Sequence, residues 1–181
     1  MEIIQYAPGI ILYKDSFNYS DKIIEYSINQ NNWTTYTNPV DDYRNIQDYK
    51  DYDLFPLNLS LDSPLELFLA MKDINNLART YSGKQGCYFS GISSTNILKY
   101  RNQKGFPKVT FDQLNDINRV FSAVVFLNDI PSGGEIIFNQ FNIDIKPIKN
   151  SVLFYPANYI YTYKIKYPSV DKYCLNIGFN H

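Results

Sequence analysis

The chain has 181 residues, 45% of them hydrophobic and 19% charged, with a formal net charge of -1. That length builds one domain and is short for two, and the near-zero charge gives no electrostatic footing for a nucleic-acid or acidic-membrane partner. No apolar run approaches the roughly 18 residues that a membrane helix needs.

Residues 3–13 alternate loosely, are broken by Pro8-Gly9, and end in a short buried strand at Ile10, Ile11 and Leu12. Ser20-Asp21 precedes Ile23, Ile24, Tyr26 and Ile28, which predicts an N-capped amphipathic helix ending near Asn29–Asn32. Residues 34–60 are polar, Tyr-rich and hold Pro39 and Pro56, the pattern of a loop with one or two short strands. Ser63-Pro64 then opens a second helix, with Leu65, Leu67, Phe68, Met71, Ile74, Leu77 and Ala78 at helical spacing. After Gly83 and Gly86 the period becomes that of strands, predicted at 94–101, 119–127, 135–139, 142–146, 151–155, 158–166 and 172–179. Gly105-Phe106-Pro107, Pro131-Ser132-Gly133-Gly134, Lys149-Asn150 and Pro168-Ser169 supply the turns. Many short strands at such spacing predict a sandwich or barrel. Helices first and strands after predict an α+β chain, mainly β, with helices against one sheet.

Aromatic content is the outlier, at 17 Tyr and 12 Phe, and it favours strands. Abundant Asn, Ile, Lys and Tyr is also what an AT-rich genome encodes, and such a genome suits a virus or a bacterium. Cys87 and Cys174 lack metal-type spacing and read as reduced thiols, with a single disulfide between them as the alternative. The N-terminus has neither the basic region nor the apolar run of a signal peptide, so the expected location is the cytoplasm or a virion. Asp41–Asp53 is mildly acidic and Lys146–Lys172 mildly basic, the pattern of two solvated faces.

Five blocks carry a family resemblance. Ile97-Leu98-Lys99-Tyr100 is followed by Arg119–Asn128 (RVFSAVVFLN), then by Gly133-Gly134-Glu135 with Phe138. Next come Ile145-Lys146-Pro147 with Ser151–Phe154 and Pro156, and last Val170-Asp171-Lys172-Tyr173. In this order the blocks resemble the catalytic core of the prolyl-4-hydroxylase branch of the Fe(II)/2-oxoglutarate dioxygenases. Asn150 stands at the family's turn glycine, and Asn tolerates left-handed backbone best among non-glycine residues. The resemblance implies a distorted double-stranded β-helix, or jelly roll, over 87–181. Residues 1–86 would form a strand and helix buttress on its major sheet, within a single domain.

Enzymes of that family hold Fe(II) with His-x-Asp and a later histidine, leaving positions open for 2-oxoglutarate and oxygen. A His-x-Asp pair works on a strand because residues i and i+2 share a face. The resemblance places that pair at Lys108-Val109-Thr110 and the distal histidine at Tyr163, so the ligand positions Lys108, Thr110 and Tyr163 are degenerate. A register shifted by two gives Thr110-Phe111-Asp112 and recovers one carboxylate. It recovers no imidazole, because the single histidine is His181, expected to be a frayed end. The family's co-substrate cation falls at Lys172, which with Tyr100 forms a vestigial co-substrate site; a structural or surface lysine is the alternative. Tyr163 also belongs to a series Tyr159, Tyr161, Tyr163, Ile165 of strand parity, which favours packing over catalysis.

The expected protein is therefore a non-catalytic oxygenase relative without catalytic residues, metal or cofactor. It would be reused as a binding or structural module for other proteins, with no nucleic-acid or membrane partner. Its most concrete form is a component of a virus or phage particle. An active Fe(II)/2-oxoglutarate hydroxylase with unorthodox ligands, and a metal-free sensor of 2-oxoglutarate or a small carboxylate, stand as alternatives.

Overall fold

The computed structural model describes residues 1–36, 52–102, 106–114 and 116–181, with the backbone alone for 106–109. Pro39, most of Asp41–Asp53, the start of the Gly105 turn and the side chain of Lys108 therefore lie outside the described residues. The strands are β1 (Glu2–Ala7), β2 (Ile10–Lys14), β3 (Thr34–Tyr36), β4 (Tyr52–Pro56), β5 (Gly91–Tyr100), β6 (Phe106–Thr110) and β7 (Arg119–Phe126). They continue with β8 (Ile136–Phe138), β9 (Ile143–Ile145), β10 (Ser151–Pro156), β11 (Tyr163–Ile165) and β12 (Lys172–Asn180). The helices are α1 (Ser20–Ile28) and α2 (Leu65–Gln85).

Two antiparallel sheets face each other. The large one runs β1-β2-β10-β7-β12-β5-β4-β3 and the small one β6-β11-β8-β9. Strand parity assigns each side chain of the large sheet to one of two cores. On β7, Phe121, Ala123 and Val125 join Leu67, Ala70, Ile74, Ala78 and Tyr81 of α2 in the helix-side core. Val124 and Phe126 point the other way and meet Ile136, Phe138, Tyr163 and Ile165 of the small sheet. This is the double-stranded β-helix with helices on its major sheet.

Local differences from the sequence reading have physical causes. The predicted cap Ser20 is instead the first helical residue, with its hydroxyl buried and unpaired, and Tyr19 occupies the cap position. Asp21 still serves the first turn, where it is favoured by the helix dipole, and Lys149 binds both its carboxylate oxygens at 2.7 and 2.9 Å. Helix α2 runs through Gly83, because Tyr81 and Ser82 beyond Ala78 are still buried. It stops at Gly86, whose φ of 64° is the left-handed conformation of a helix end.

The predicted strand 158–166 is mostly not a strand. Asn158 accepts a hydrogen bond from the Ile160 amide and starts a 3-10 turn over Tyr159–Tyr161, leaving only Tyr163–Ile165 in β11. The parity series therefore fails at Tyr159, which is exposed. Strand β6 was absent from the predicted strands, since Gly105-Phe106-Pro107 reads as a turn. Cys87 and Cys174 are both free thiols, which rules out the disulfide alternative. Among the described residues no helix is long and apolar enough to cross a membrane.

Candidate functional site

A cavity of about 300 Å³ opens between the two sheets beside β4, β5 and β12. Its far wall comes from the end of β6 and the 3-10 turn Asp112–Leu114, which the Gln113 amide pins by donating to the Ala157 carbonyl at 3.0 Å. Pairing of β6 with β11 sets Thr110 directly opposite Tyr163. Two residues on, the Asp112 carboxylate accepts the Tyr163 hydroxyl at 2.8 Å and the Tyr155 hydroxyl at 2.9 Å. Arg119 Nη1 lies 3.8 Å from the same carboxylate.

Burial pushes the Tyr155 and Tyr163 phenols well above the ordinary tyrosine range, and the adjacent Asp112 carboxylate adds to it. Both phenols are therefore donors at neutral pH, and their protons point at Asp112. The Arg119 guanidinium lies against Gly178, where a Cβ would come within 2.6 Å of its Nε. It donates to Ser94 Oγ at 2.9 Å and lies 3.6 Å from Asp116.

The expected ligand positions are thus brought together in the register that begins at Thr110. Thr110, Asp112 and Tyr163 surround one point, while Lys108 belongs to β6 two residues earlier. These groups do not fit Fe(II). They offer one carboxylate whose oxygens already accept two phenols, a hydroxyl that is a poor metal donor, and a phenol that burial keeps protonated. Among the described residues no group of three His, Cys, Asp or Glu side chains could hold a metal.

Lys172 is not on a solvated face; it is fully buried. Its ammonium donates to the Gly134 carbonyl at 2.7 Å and lies over the rings of Tyr100 at 5.3 Å and Phe126 at 5.5 Å. Tyr100 lines the cavity, but Lys172 is behind it and does not. Among the described residues no carboxylate forms an ion pair with Lys172, and burial drives its pKa below the usual lysine value. A 2-oxoglutarate carboxylate cannot reach this ammonium unless Tyr100 moves. The exposed His181 donates its backbone amide to the Asn118 carbonyl at 3.3 Å.

Sequence reasoning missed Tyr155, Asn96 and Asn176. Asn96 and Asn176 face one another across β5 and β12 and line the cavity. The signal was available: on β5 Asn96 shares the parity of Leu98 and Tyr100, a polar residue in a core-facing series. Arg119 was recognised only as part of a scaffold block.

No protein-family model matches this chain, and no curated protein matches it in sequence. Solved structures do match its fold. The viral collagen prolyl hydroxylase of Paramecium Bursaria Chlorella virus-1, in complex with 2OG, superposes with a TM-score of 0.69 over 95% of this chain and 95% of its own, at 12% identity. A prolyl-4-hydroxylase of Pseudomonas putida gives 0.73 over 97% and 94%, at 10% identity. A prolyl hydroxylase of Trichoplax adhaerens, in complex with a peptide of the hypoxia inducible factor oxygen degradation domain, gives 0.76 over 96% and 84%, at 13% identity. The fold is that of the 2-oxoglutarate Fe(II) oxygenases.

Proposed function

We propose that this chain is a non-catalytic relative of the 2-oxoglutarate oxygenases, reused as a binding or structural module that works without iron. The observation that carries this reading is the hydrogen-bonded cluster of Asp112, Tyr155 and Tyr163 with Arg119, where the family's chemistry would require open metal ligands. A closed carboxylate–phenol cluster gives strength and order to a barrel, whereas a catalytic site must leave coordination positions free. Its partners are other proteins in a larger assembly. Exposed Ile117, Tyr159 and Tyr167 supply aromatic and aliphatic contact surface for them. The AT-rich composition supports a virus or phage particle as that assembly, and mass spectrometry of purified particles that never detects the chain would count against it.

The experiment for the central reading is metal analysis and succinate release after anaerobic Fe(II) loading with 2-oxoglutarate. The expected result is no bound iron and no succinate above the protein-free control. Stoichiometric iron with succinate release would instead establish an active hydroxylase with unorthodox ligands.

One observation favours a second reading, a metal-free sensor of a small carboxylate that displaces Tyr100 to reach Lys172. The buried Lys172 ammonium lacks a carboxylate partner among the described residues. Calorimetry should then detect 2-oxoglutarate binding without metal, abolished by Lys172→Ala. Absence of binding removes this reading.

A further inference from the structure

The floor of the cavity is graded by strand pairing. One row across β3, β4 and β5 is Tyr36, Tyr52 and Tyr100, with ring centroids 5.3 and 5.5 Å apart. The next row is aliphatic, with Leu54 opposite Leu98. The third is the amide pair Asn96 and Asn176, directly opposite on β5 and β12. Neither carboxamide makes a hydrogen bond with any described residue, although both line the cavity. Each holds two donors and an acceptor, and half-enclosed polar groups of this kind gain most from a complementary partner.

Charge narrows the ligand class. Among the described lining residues Arg119 is the only cation and Asp112 the only anion. Asp112 and Asp116 lie 3.8 and 3.6 Å from the guanidinium, so its charge is balanced within the protein. An anion entering the cavity would meet no uncompensated positive charge there. A neutral ligand carrying several hydroxyl or amide groups would meet donors and acceptors in both senses. About 300 Å³ is the lower end of small-molecule sites, about 300–1,000 Å³, which limits the occupant to about one ring. The aliphatic row of Leu54 and Leu98 beside the amide pair matches a ring with apolar C–H groups and a hydroxylated edge.

We infer that this cavity is a saccharide site, taking one neutral sugar ring with its hydroxyls on Asn96 and Asn176 and its C–H groups against the neighbouring Leu54–Leu98 row. The inference rests on the metal-free binding reading, because the same cavity would be the reaction chamber of an active oxygenase. The ring would be a free sugar or the terminal unit of a glycan.

The test is an NMR titration of the full, chelator-treated protein, following the side-chain amides of Asn96 and Asn176. The probes are neutral hexoses, N-acetylhexosamines, a short glycan ending in the best of them, and 2-oxoglutarate. At least one neutral sugar should shift both amides, and Asn96→Leu or Asn176→Leu should weaken it at least tenfold in folded protein. The glycan arm separates a terminal unit from a free sugar. Should a variant fail to fold, the amide shifts of the unaltered protein decide alone. Folded protein whose amides respond to no neutral sugar, or only to 2-oxoglutarate, overturns the inference. Iron-dependent succinate release in the separate assay would overturn the metal-free reading without altering these shifts.

Discussion

At Asp112 one buried carboxylate accepts two phenols, and each such charge-assisted bond contributes about 1.5–3 kcal/mol. Asp112→Ala should therefore destabilise the protein by about 2–4 kcal/mol in urea melts, because it orphans two buried hydroxyls at once. Tyr163→Phe should cost about 1–2 kcal/mol. A double-mutant cycle over Asp112 and Tyr163 should show clear coupling, and simple additivity would contradict a shared cluster.

Lys172 makes the opposite prediction. A buried ammonium held by one carbonyl and two ring faces is costly to desolvate. Lys172→Met should be neutral or stabilise by about 1–4 kcal/mol. The sign of its pH dependence follows from linkage. Burial lowers the folded pKa of Lys172, so the unfolded chain binds more protons and stability rises with pH up to the unfolded value of about 10.4. Tyr100, Tyr155 and Tyr163 have folded pKa values well above 10, so their contribution is complete below the unfolded value of about 10 and is lost above it. Melts across alkaline pH should show the Lys172 rise vanish in Lys172→Met while the loss above about pH 10 persists. An unchanged rise in that variant would assign the slope to other groups.

At the scale of elements, two glycines separate space from propensity. Gly83 lies inside α2 with open space where a Cβ would be, so Gly83→Ala should stabilise by about 0.5–1 kcal/mol. Gly178 lies in β12 with the Arg119 guanidinium against it, so Gly178→Ala should displace that side chain and lower the melting temperature. An equal effect of both substitutions would contradict the packing of Arg119 on β12.

Legibility also differed by element. Helix α2 was readable because its helical period marks one buried face, and strands β7, β10 and β12 because they are near-continuous apolar runs bounded by turn residues, as strands buried on both faces are. Strand β11 was not: Asn158 competes for the backbone with a side-chain hydrogen bond, and that local bond wins over parity. Strand β6 carries Pro107, a residue that argues against a sheet interior, and β6 is accordingly an edge of the small sheet.

For the whole molecule, the fold was legible because the scaffold blocks coincide with turns and core strands, and those depend on local backbone needs. The site was only half legible. Tyr163 and Thr110 could be placed by the family resemblance, but the meaning of Asp112 depends on Tyr155, which arrives from another strand 43 residues away. The burial of Lys172 was equally hidden, since a lysine in a basic stretch reads as solvated until Tyr100 and Phe126 are seen to cover it. The asparagine pair needed the register of β5 with β12, which no single strand reveals. What emerges is a barrel with the fold of the 2-oxoglutarate oxygenases, and the proposed metal-free role takes its cluster of Asp112, Tyr155 and Tyr163 to be closed to iron.

The most direct test of that claim is paramagnetic broadening by Mn(II), a surrogate for Fe(II), followed residue by residue in the NMR spectrum with and without 2-oxoglutarate. A closed cluster predicts no selective broadening at Thr110, Asp112 and Tyr163 at equimolar metal. Saturable broadening centred on those three residues would contradict it.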